Sequence, residues 1–226
     1  MLEADQKREA STADLLGGVL RAAILLAMEF ILVSLLVPSP WAAHVQQREL
    51  ADLQSQLGTA TAAAVALRAT DWYRALLVDP GVVGMSYRMV TLSPEEITQA
   101  RATGLGPLTQ FALWDWLAGR LDVLWWMVRH AVQRLVLLLA WWPFLLLTAV
   151  FATADGWLRR RIRQAGFSYA SPLRHHYAVR AMRWLVLLGL FGLFLPVPWS
   201  PWLIPWVGAV FAVLLAVTLA NTQKRV

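Results

Sequence analysis

The chain has 226 residues, of which 58% are hydrophobic and only 15% are charged, and its formal net charge is +6. Because a soluble domain has about a quarter of its residues charged, this composition indicates that much of the chain lies in lipid. The sequence has no cysteine, which excludes disulfides, thiolate metal sites and cysteine nucleophiles. The composition therefore predicts an integral membrane protein.

Four apolar runs have the length and composition of membrane-crossing helices. They occupy residues 15–37, 135–154, 181–197 and 203–220. Pro143 lies inside the second run, where a proline removes a backbone hydrogen bond and predicts a kink. The link at 198–202 is short enough to predict an antiparallel pair of the last two runs. The predicted fold class is an all-α integral membrane protein, with four transmembrane helices and a small helical extracytoplasmic region between the first two.

Arginine is concentrated between the end of the second run and the first residues of the third, where Asp155 is the one acidic residue. The arginines are Arg159, Arg160, Arg161, Arg163, Arg174, Arg180 and Arg183. Because short cytoplasmic loops are enriched in Lys and Arg, residues 155–180 are predicted to be cytoplasmic. The N-terminal residues 1–14 and the tail 221–226 then lie on the same side. The predicted location is a bacterial inner membrane, in a multi-pass arrangement with both termini inside.

The sizeable polar region, residues 38–107, is predicted to be periplasmic and helical. Residues 41–67 have a helical composition, and Asp79-Pro80-Gly81 predicts a turn. Ser93-Pro94-Glu95-Glu96 predicts a helix start, with Ser93 as the N-cap and proline in the first turn. Residues 108–134 predict an amphipathic helix, which either lies along the membrane surface or packs inside the polar region.

Glu29 lies near the middle of the first run, where a carboxylate costs a few kcal/mol. On a helix it shares a face with Gly18 and Ala22, and small residues allow close helix approach. One interpretation is a proton-relay or ion-coupling carboxylate. The favoured interpretation is a buried group that bonds to another helix or to a partner subunit.

Small residues also recur at four-residue spacing in the last run, at Gly208, Ala212 and Ala216. This spacing predicts packing against another helix, either the third run through Gly189 and Gly192 or a second protein. The alternative is an alanine-rich helix that faces lipid. Packing is favoured.

Metal binding and catalysis are not predicted. His175 and His176 are adjacent, so on a helix they point about 100° apart and cannot bind one metal ion together. The basic set Arg159, Arg160, Arg161, Arg163, Arg174, His175 and His176 is predicted to meet lipid headgroups or a cytoplasmic partner, since basic clusters beside a span contact anionic lipid. Direct nucleic-acid contact is not favoured. No catalytic or nucleotide-binding motif is present, and no cofactor is predicted.

The stretch Ser171-Pro172-Leu173-Arg174-His175-His176-Tyr177 enters an apolar run after an arginine-rich segment, and the chain has an N-terminal anchor and a terminal pair of spans. In this layout it resembles the integrating conjugative element membrane proteins, a family of unknown function. The resemblance implies a place among conjugative transfer genes, beside the coupling ATPase of a type IV secretion channel. The partners it implies are other membrane subunits, and a homo-oligomer stays open.

The predicted function is thus a non-enzymatic scaffold or accessory subunit of a conjugative DNA-transfer apparatus. Two alternatives remain at this point. One is a small proton- or ion-coupled transporter that uses Glu29. The other is an exclusion or immunity protein of the membrane.

Overall fold

The computed structural model describes residues 2–91, 93–104, 112–166 and 171–222, with backbone only for 2–15, 94, 101 and 112. Within these ranges the chain is helical, with nine α-helices and a π-helical turn. The first five helices are α1 (Leu2–Leu36), α2 (Ser39–Leu57), α3 (Thr59–Tyr73), α4 (Val82–Val90) and α5 (Pro94–Ala102), and the π-helical turn (Arg74–Val78) follows α3. The remaining four are α6 (Ala112–Ala140), α7 (Trp142–Ala165), α8 (Pro172–Phe194) and α9 (Leu203–Ala220).

Four helices among the described residues are long and apolar enough to cross a membrane. They are Leu16–Leu36, Leu113–Ala140, Pro172–Phe194 and Leu203–Ala220. The predictions of an all-helical chain and of four such helices are therefore confirmed. The second of the four is Leu113–Ala140, whereas the predicted second run is 135–154. The two differ because the chain leaves helical geometry at Trp141.

Several helix ends lie where local side chains predict them. The Ser93 hydroxyl accepts a hydrogen bond from the Glu96 backbone N–H (3.2 Å), and the Glu96 carboxylate accepts one from the Ser93 N–H (2.7 Å), a reciprocal capping box. Ser171 caps α8 by accepting from the Arg174 N–H. Gly81 ends the predicted turn with φ of 81°, in the left-handed region that glycine adopts at little cost.

The predicted helix at 41–67 is two helices in the structure. Gly58 separates α2 from α3 with φ of 85°, a conformation that interrupts an α-helix and that residues with a Cβ rarely adopt. The two segments pack against each other and against α6. The break thus lets two short apolar faces cover one long helix.

The predicted second run, residues 135–154, is divided between α6 and α7. The chain leaves helical geometry at Trp141, and Pro143 lies in the first turn of α7, where its missing N–H and fixed φ are tolerated. The proline therefore marks a new helix and not a kink inside one. The amphipathic segment predicted at 108–134 joins the first residues of that run in α6, which explains why Leu113–Ala140 has the length of a span.

The predicted arginine-rich loop is mostly helical. Arg159 and Arg163 lie in the last turns of α7, and Arg174 lies in the first turn of α8. Residues 167–170, between these helices, lie outside the described residues, as does the predicted charged tail Lys224-Arg225. Cations at the end of α7 are favourable because the C-terminus of a helix carries partial negative charge.

The directions of the last three helices follow from their contacts. Gly208 near the start of α9 meets Leu145 of α7, and Gly156 farther along α7 meets Ala216, so α7 and α9 run parallel. His175 in the first turn of α8 contacts the Thr218 carbonyl near the end of α9. The last two helices are therefore antiparallel, as the short link between them predicts.

Candidate functional site

Three ionisable side chains are buried together where α2 meets α6. Glu49, His130 and Arg134 expose only 4%, 4% and 2% of their surface. Glu49 shares its helix face with Ala42, Val45 and Leu53, which are also buried. We call these three ionisable residues the Glu49 cluster.

Glu49 holds the cluster together through both carboxylate oxygens. Arg134 donates to Oε1 from Nη2 (2.6 Å) and from Nε (3.2 Å), and the Trp199 backbone N–H donates to the same oxygen (2.8 Å). His130 Nε2 lies 3.0 Å from Oε2. Burial acts to raise the pKa of Glu49, but the hydrogen bonds and charges of His130 and Arg134 outweigh it and lower the pKa below 4.5. Glu49 is therefore ionised at neutral pH.

Arg134 also binds the C-terminal end of α8. Its Nη1 donates to the carbonyls of Gly192, Leu193 and Leu195, and its Nη2 donates to the carbonyl of Val197. The last carbonyls of a helix have no partner within the helix, so a guanidinium with five donors satisfies several of them at once. The ring of Trp199 lies 4.8 Å from the guanidinium carbon and covers it.

Arg120 makes the equivalent contact with α1. It donates to the carbonyls of Leu35 (2.9 Å) and Val37 (3.1 Å) at the end of that helix. Arg120 and Arg134 are about 21 Å apart along α6, at 1.5 Å per residue. One helix thus binds the C-terminal ends of two others through arginines. We call the part of the helix bundle where Arg120 and Arg134 bind the ends of α1 and α8 the α6 end of the bundle.

Helices α2 and α4, from the polar region between the first two apolar runs, are held on α6 by side-chain hydrogen bonds. Trp125 donates to the Ser86 hydroxyl (2.9 Å), Trp126 donates to Gln46 (3.1 Å), and Tyr87 donates to Asp122. Burial and the Asp122 carboxylate raise the pKa of Tyr87 to about 12. The Tyr87 hydroxyl therefore keeps its proton at neutral pH and donates a hydrogen bond to Asp122, which attaches α4 to α6.

The Glu49 cluster is built for holding helices together. Glu49 and Arg134 carry opposite charges 2.6 Å apart, Oε1 of Glu49 accepts three hydrogen bonds, and the three side chains are covered. Sequence reasoning did not single out these residues, although a signal exists. Glu49 interrupts the apolar stripe of α2, and Arg134 lies on the same face of α6 as the buried Val123 and Met127. A charge inside an otherwise apolar stripe predicts a buried partner.

Glu29 is half-buried in α1, and the structure gives it no partner. Both carboxylate oxygens are covered, and neither has a hydrogen bond within the described part of the chain. Gly18 is exposed, with no atom within 4 Å of the position of an added Cβ, and Ala22 is half-buried. No described atom thus lies close to Gly18, and the packing of this face against a helix or a partner subunit stays a prediction.

The predicted small-residue face of α9 does pack against a helix, but that helix is α7. A Cβ added at Gly208 would lie 2.4 Å from Leu145 Cδ2, and one added at Gly156 would lie 2.7 Å from the Ala216 carbonyl oxygen. Ala212 is half-buried between these contacts along α9. At Gly208 and Ala216 the structure places α7 instead of the third run, because the split of the second run frees α7 to lie along α9. Packing of this face against a second protein stays a prediction.

The two glycines predicted on the third run have different surroundings. Gly192 is buried under Trp199, whose ring would lie 2.1 Å from an added Cβ, whereas Gly189 is exposed with nothing within 4 Å. Neither glycine packs α8 closely against α9. Gly192 instead allows the link after α8 to fold back over the Glu49 cluster.

The opposite end of the bundle carries the predicted basic set, and we call it the arginine-rich end. Arg163 donates to the Asn221 side chain (2.6 Å), which also accepts from the Ser171 N–H (3.3 Å). Asn221 is 2% exposed, so this amide ties α7, α8 and the end of α9 together. His175 Nδ1 lies 3.1 Å from the Thr218 carbonyl, so His175 also serves helix packing.

The other basic residues of this end face outward to different degrees. Arg159 forms an ion pair with Asp155 (2.8 Å), and the Arg161 guanidinium lies over the Trp157 ring at 4.9 Å. Arg174 and His176 are exposed. Arg160 is half-buried, and its Nε is covered without a hydrogen bond to any described residue. Within the described ranges, no three His, Cys, Asp or Glu side chains lie close enough to hold a metal ion.

Comparison with known proteins identifies a family. Residues 41–225 match the family model described as "IncC plasmid conjugative DNA transfer protein DtrJ-like". No curated protein and no solved structure matches the chain. The matched range begins after α1 and includes the Glu49 cluster and the arginine-rich end.

Proposed function

Because the chain belongs to the DtrJ-like family of plasmid conjugative DNA transfer proteins, we propose that it is a non-enzymatic membrane scaffold of the transfer apparatus. Its role is in conjugative DNA transfer, as the family description states. The finer role as a scaffold is supported by the family match together with four helices apolar enough to cross a membrane. Its partners would be other membrane subunits and the coupling ATPase of the system, whether on a plasmid or on an integrating element.

The proposed setting is the bacterial inner membrane, with the arginine-rich end in the cytoplasm. Short cytoplasmic segments are enriched in Arg and Lys, and this end has four arginines within residues 159–163. The α6 end would then face the periplasm. Of the four helices long and apolar enough to cross a membrane, α1, α8 and α9 span the bilayer in this setting. The fourth, α6, lies at the outer surface, because Arg120 and Arg134 on it bind the ends of α1 and α8, and α7 crosses the bilayer beside α9 in its place.

Co-purification tests the scaffold role. The tagged chain, extracted in mild detergent from donor cells during mating, should recover the coupling ATPase or secretion-channel subunits. Matched cells with an untagged chain provide the control for adsorption to the resin. Recovery of the chain without any transfer protein would contradict the scaffold.

Glu29 supports a second candidate, a small proton- or ion-coupled transporter. The supporting observation is its covered carboxylate without a hydrogen bond in the described part of the chain. A transporter of this kind would lose activity in a Glu29→Gln variant, since the proton-carrying group is removed. A scaffold would keep its function in that variant, provided that the amount of protein in the membrane is unchanged.

A further inference from the structure

A groove lies between α7 and α9 beside the arginine-rich end. It has a volume of about 520 Å³. Its lining residues are Ala149, Val150, Thr153, Ala154, Trp157, Arg160 and Leu219. We call it the α7–α9 groove.

The lining of the α7–α9 groove is apolar except at one end. The one hydroxyl among the lining side chains, that of Thr153, donates to the Ala149 carbonyl of its own helix (2.7 Å). The walls are hydrocarbon from Val150, Trp157 and Leu219. Such a surface favours a saturated chain over a polar ligand.

Arg160 is the exception to this apolar lining, and it places a positive charge at one end of the groove. Its Nε is covered and has no hydrogen bond to any residue that the structure describes. A covered donor without a partner costs free energy, and a ligand that accepts a hydrogen bond would remove that cost. Arg159 and Arg161 are occupied by Asp155 and by the Trp157 ring, which leaves Arg160 as the arginine of this stretch that reaches the groove.

The extent of the lining along α7 matches one leaflet of a bilayer. From Ala149 to Arg160 the rise along α7 is about 16 Å, and the hydrocarbon of one leaflet is about half of 30 Å. An occupant with one leaflet's length of hydrocarbon and an anion at its end is a phospholipid. A partner helix would continue past the headgroup level and would require no anion at that point.

We propose that the α7–α9 groove binds an anionic phospholipid, with an acyl chain along Ala149 to Trp157 and the phosphate on Arg160. Basic pockets between transmembrane helices at the cytoplasmic side bind anionic headgroups. The inference rests on the proposed membrane location of the chain, and not on its role in DNA transfer.

The test compares lipid retention by the full chain and its variants. Each is purified in mild detergent, incubated with equal amounts of phosphatidylglycerol and phosphatidylcholine, and the retained lipid is measured by mass spectrometry. The wild type should retain phosphatidylglycerol in preference to phosphatidylcholine. Arg160→Gln should lower phosphatidylglycerol retention about tenfold, as the loss of one charge-assisted hydrogen bond implies.

Two further variants distinguish lipid binding in the groove from a general attraction of anionic lipid to positive charge. Ala154→Phe should lower retention of phosphatidylglycerol without any change of charge, because the ring fills the groove. Arg180→Gln, which removes an exposed arginine of α8 outside the groove, should leave retention unchanged. Equal losses in Arg160→Gln and Arg180→Gln, or full retention in Ala154→Phe, would overturn the proposal.

A crosslinking experiment tests whether a protein, instead of a phospholipid, occupies the groove. Since the chain has no cysteine, Val150→Cys provides a unique attachment point for a photo-crosslinker in donor membranes. Crosslinks to phospholipid support the proposal, whereas crosslinks to a protein in place of lipid overturn it. A chain recovered in the soluble fraction without detergent would instead contradict the membrane location in the proposed function.

Discussion

Replacement of Arg134 by alanine is expected to lower the free energy of unfolding by about 3–5 kcal/mol, the cost of breaking a buried ion pair by removing one partner. The variant leaves the Glu49 carboxylate in a covered site without its strongest donor. It also leaves the last carbonyls of α8 without the guanidinium that binds them. Thermal unfolding of the detergent-solubilised chain, followed by circular dichroism, measures the effect.

The matched control is Arg129→Ala on the same helix. Arg129 is exposed, so its removal should change stability by no more than about 0.5 kcal/mol. Arg134→Lys should lie between the wild type and Arg134→Ala, since a lysine retains the charge but not the forked donors. An Arg134→Ala variant that unfolds at the wild-type temperature would show that the Glu49 cluster does not hold α6 to α8.

Replacement of Gly156 by leucine is expected to separate α7 from α9. An added Cβ alone would lie 2.7 Å from the Ala216 carbonyl oxygen and 2.9 Å from Leu219 Cβ, and backbone atoms cannot move aside as a side chain can. Overpacking of this kind costs about 1–3 kcal/mol and occasionally more. Among the helices that the structure describes, this contact is the most extensive one. Unfolding temperature and the amount of folded protein in membranes both measure the loss.

Gly189→Leu provides the control for Gly156→Leu. Gly189 is in the middle of α8, is exposed, and has no atom within 4 Å of an added Cβ. A leucine there should be neutral or slightly stabilising, because leucine favours helix over glycine by somewhat less than 1 kcal/mol. Equal effects of the two substitutions would mean that the close approach of α7 and α9 is not needed for stability.

The features that the sequence predicts well are local ones. The cap at Ser93 depends on side chains within three residues, and the structure confirms it. The apolar runs also predict four helices of membrane-crossing length. Such features depend on propensity and hydropathy over short windows, and distant residues do not change them.

The errors arise where one residue decides between continuing and breaking a helix. Pro143 predicts a kink if it is inside a helix and a start if it is in the first turn, and hydropathy is the same in both cases. Gly58 in an alanine-rich stretch presents the same ambiguity. In each case the packing against α6 or α9 decides, and that packing is not visible in a local window.

The Glu49 cluster could not be predicted because its partners are far apart in sequence. Glu49 and Arg134 are separated by 85 residues, so neither residue lies in a local window that contains the other. The sequence shows a charge in each of two apolar stripes but not that the two stripes meet. Likewise, Gly208 and Ala216 predict a close helix contact, but nothing local identifies α7 as the partner.

Transfer frequency from a donor that lacks this chain tests the central claim, that the protein is a membrane component required for conjugative DNA transfer. The experiment compares a donor with an in-frame deletion, the same donor complemented with the wild-type chain, and one complemented with Arg129→Ala as a neutral variant. The account predicts a large loss of transconjugants in the deletion and full recovery with both complementing chains. Unchanged transfer from the deletion donor would contradict it.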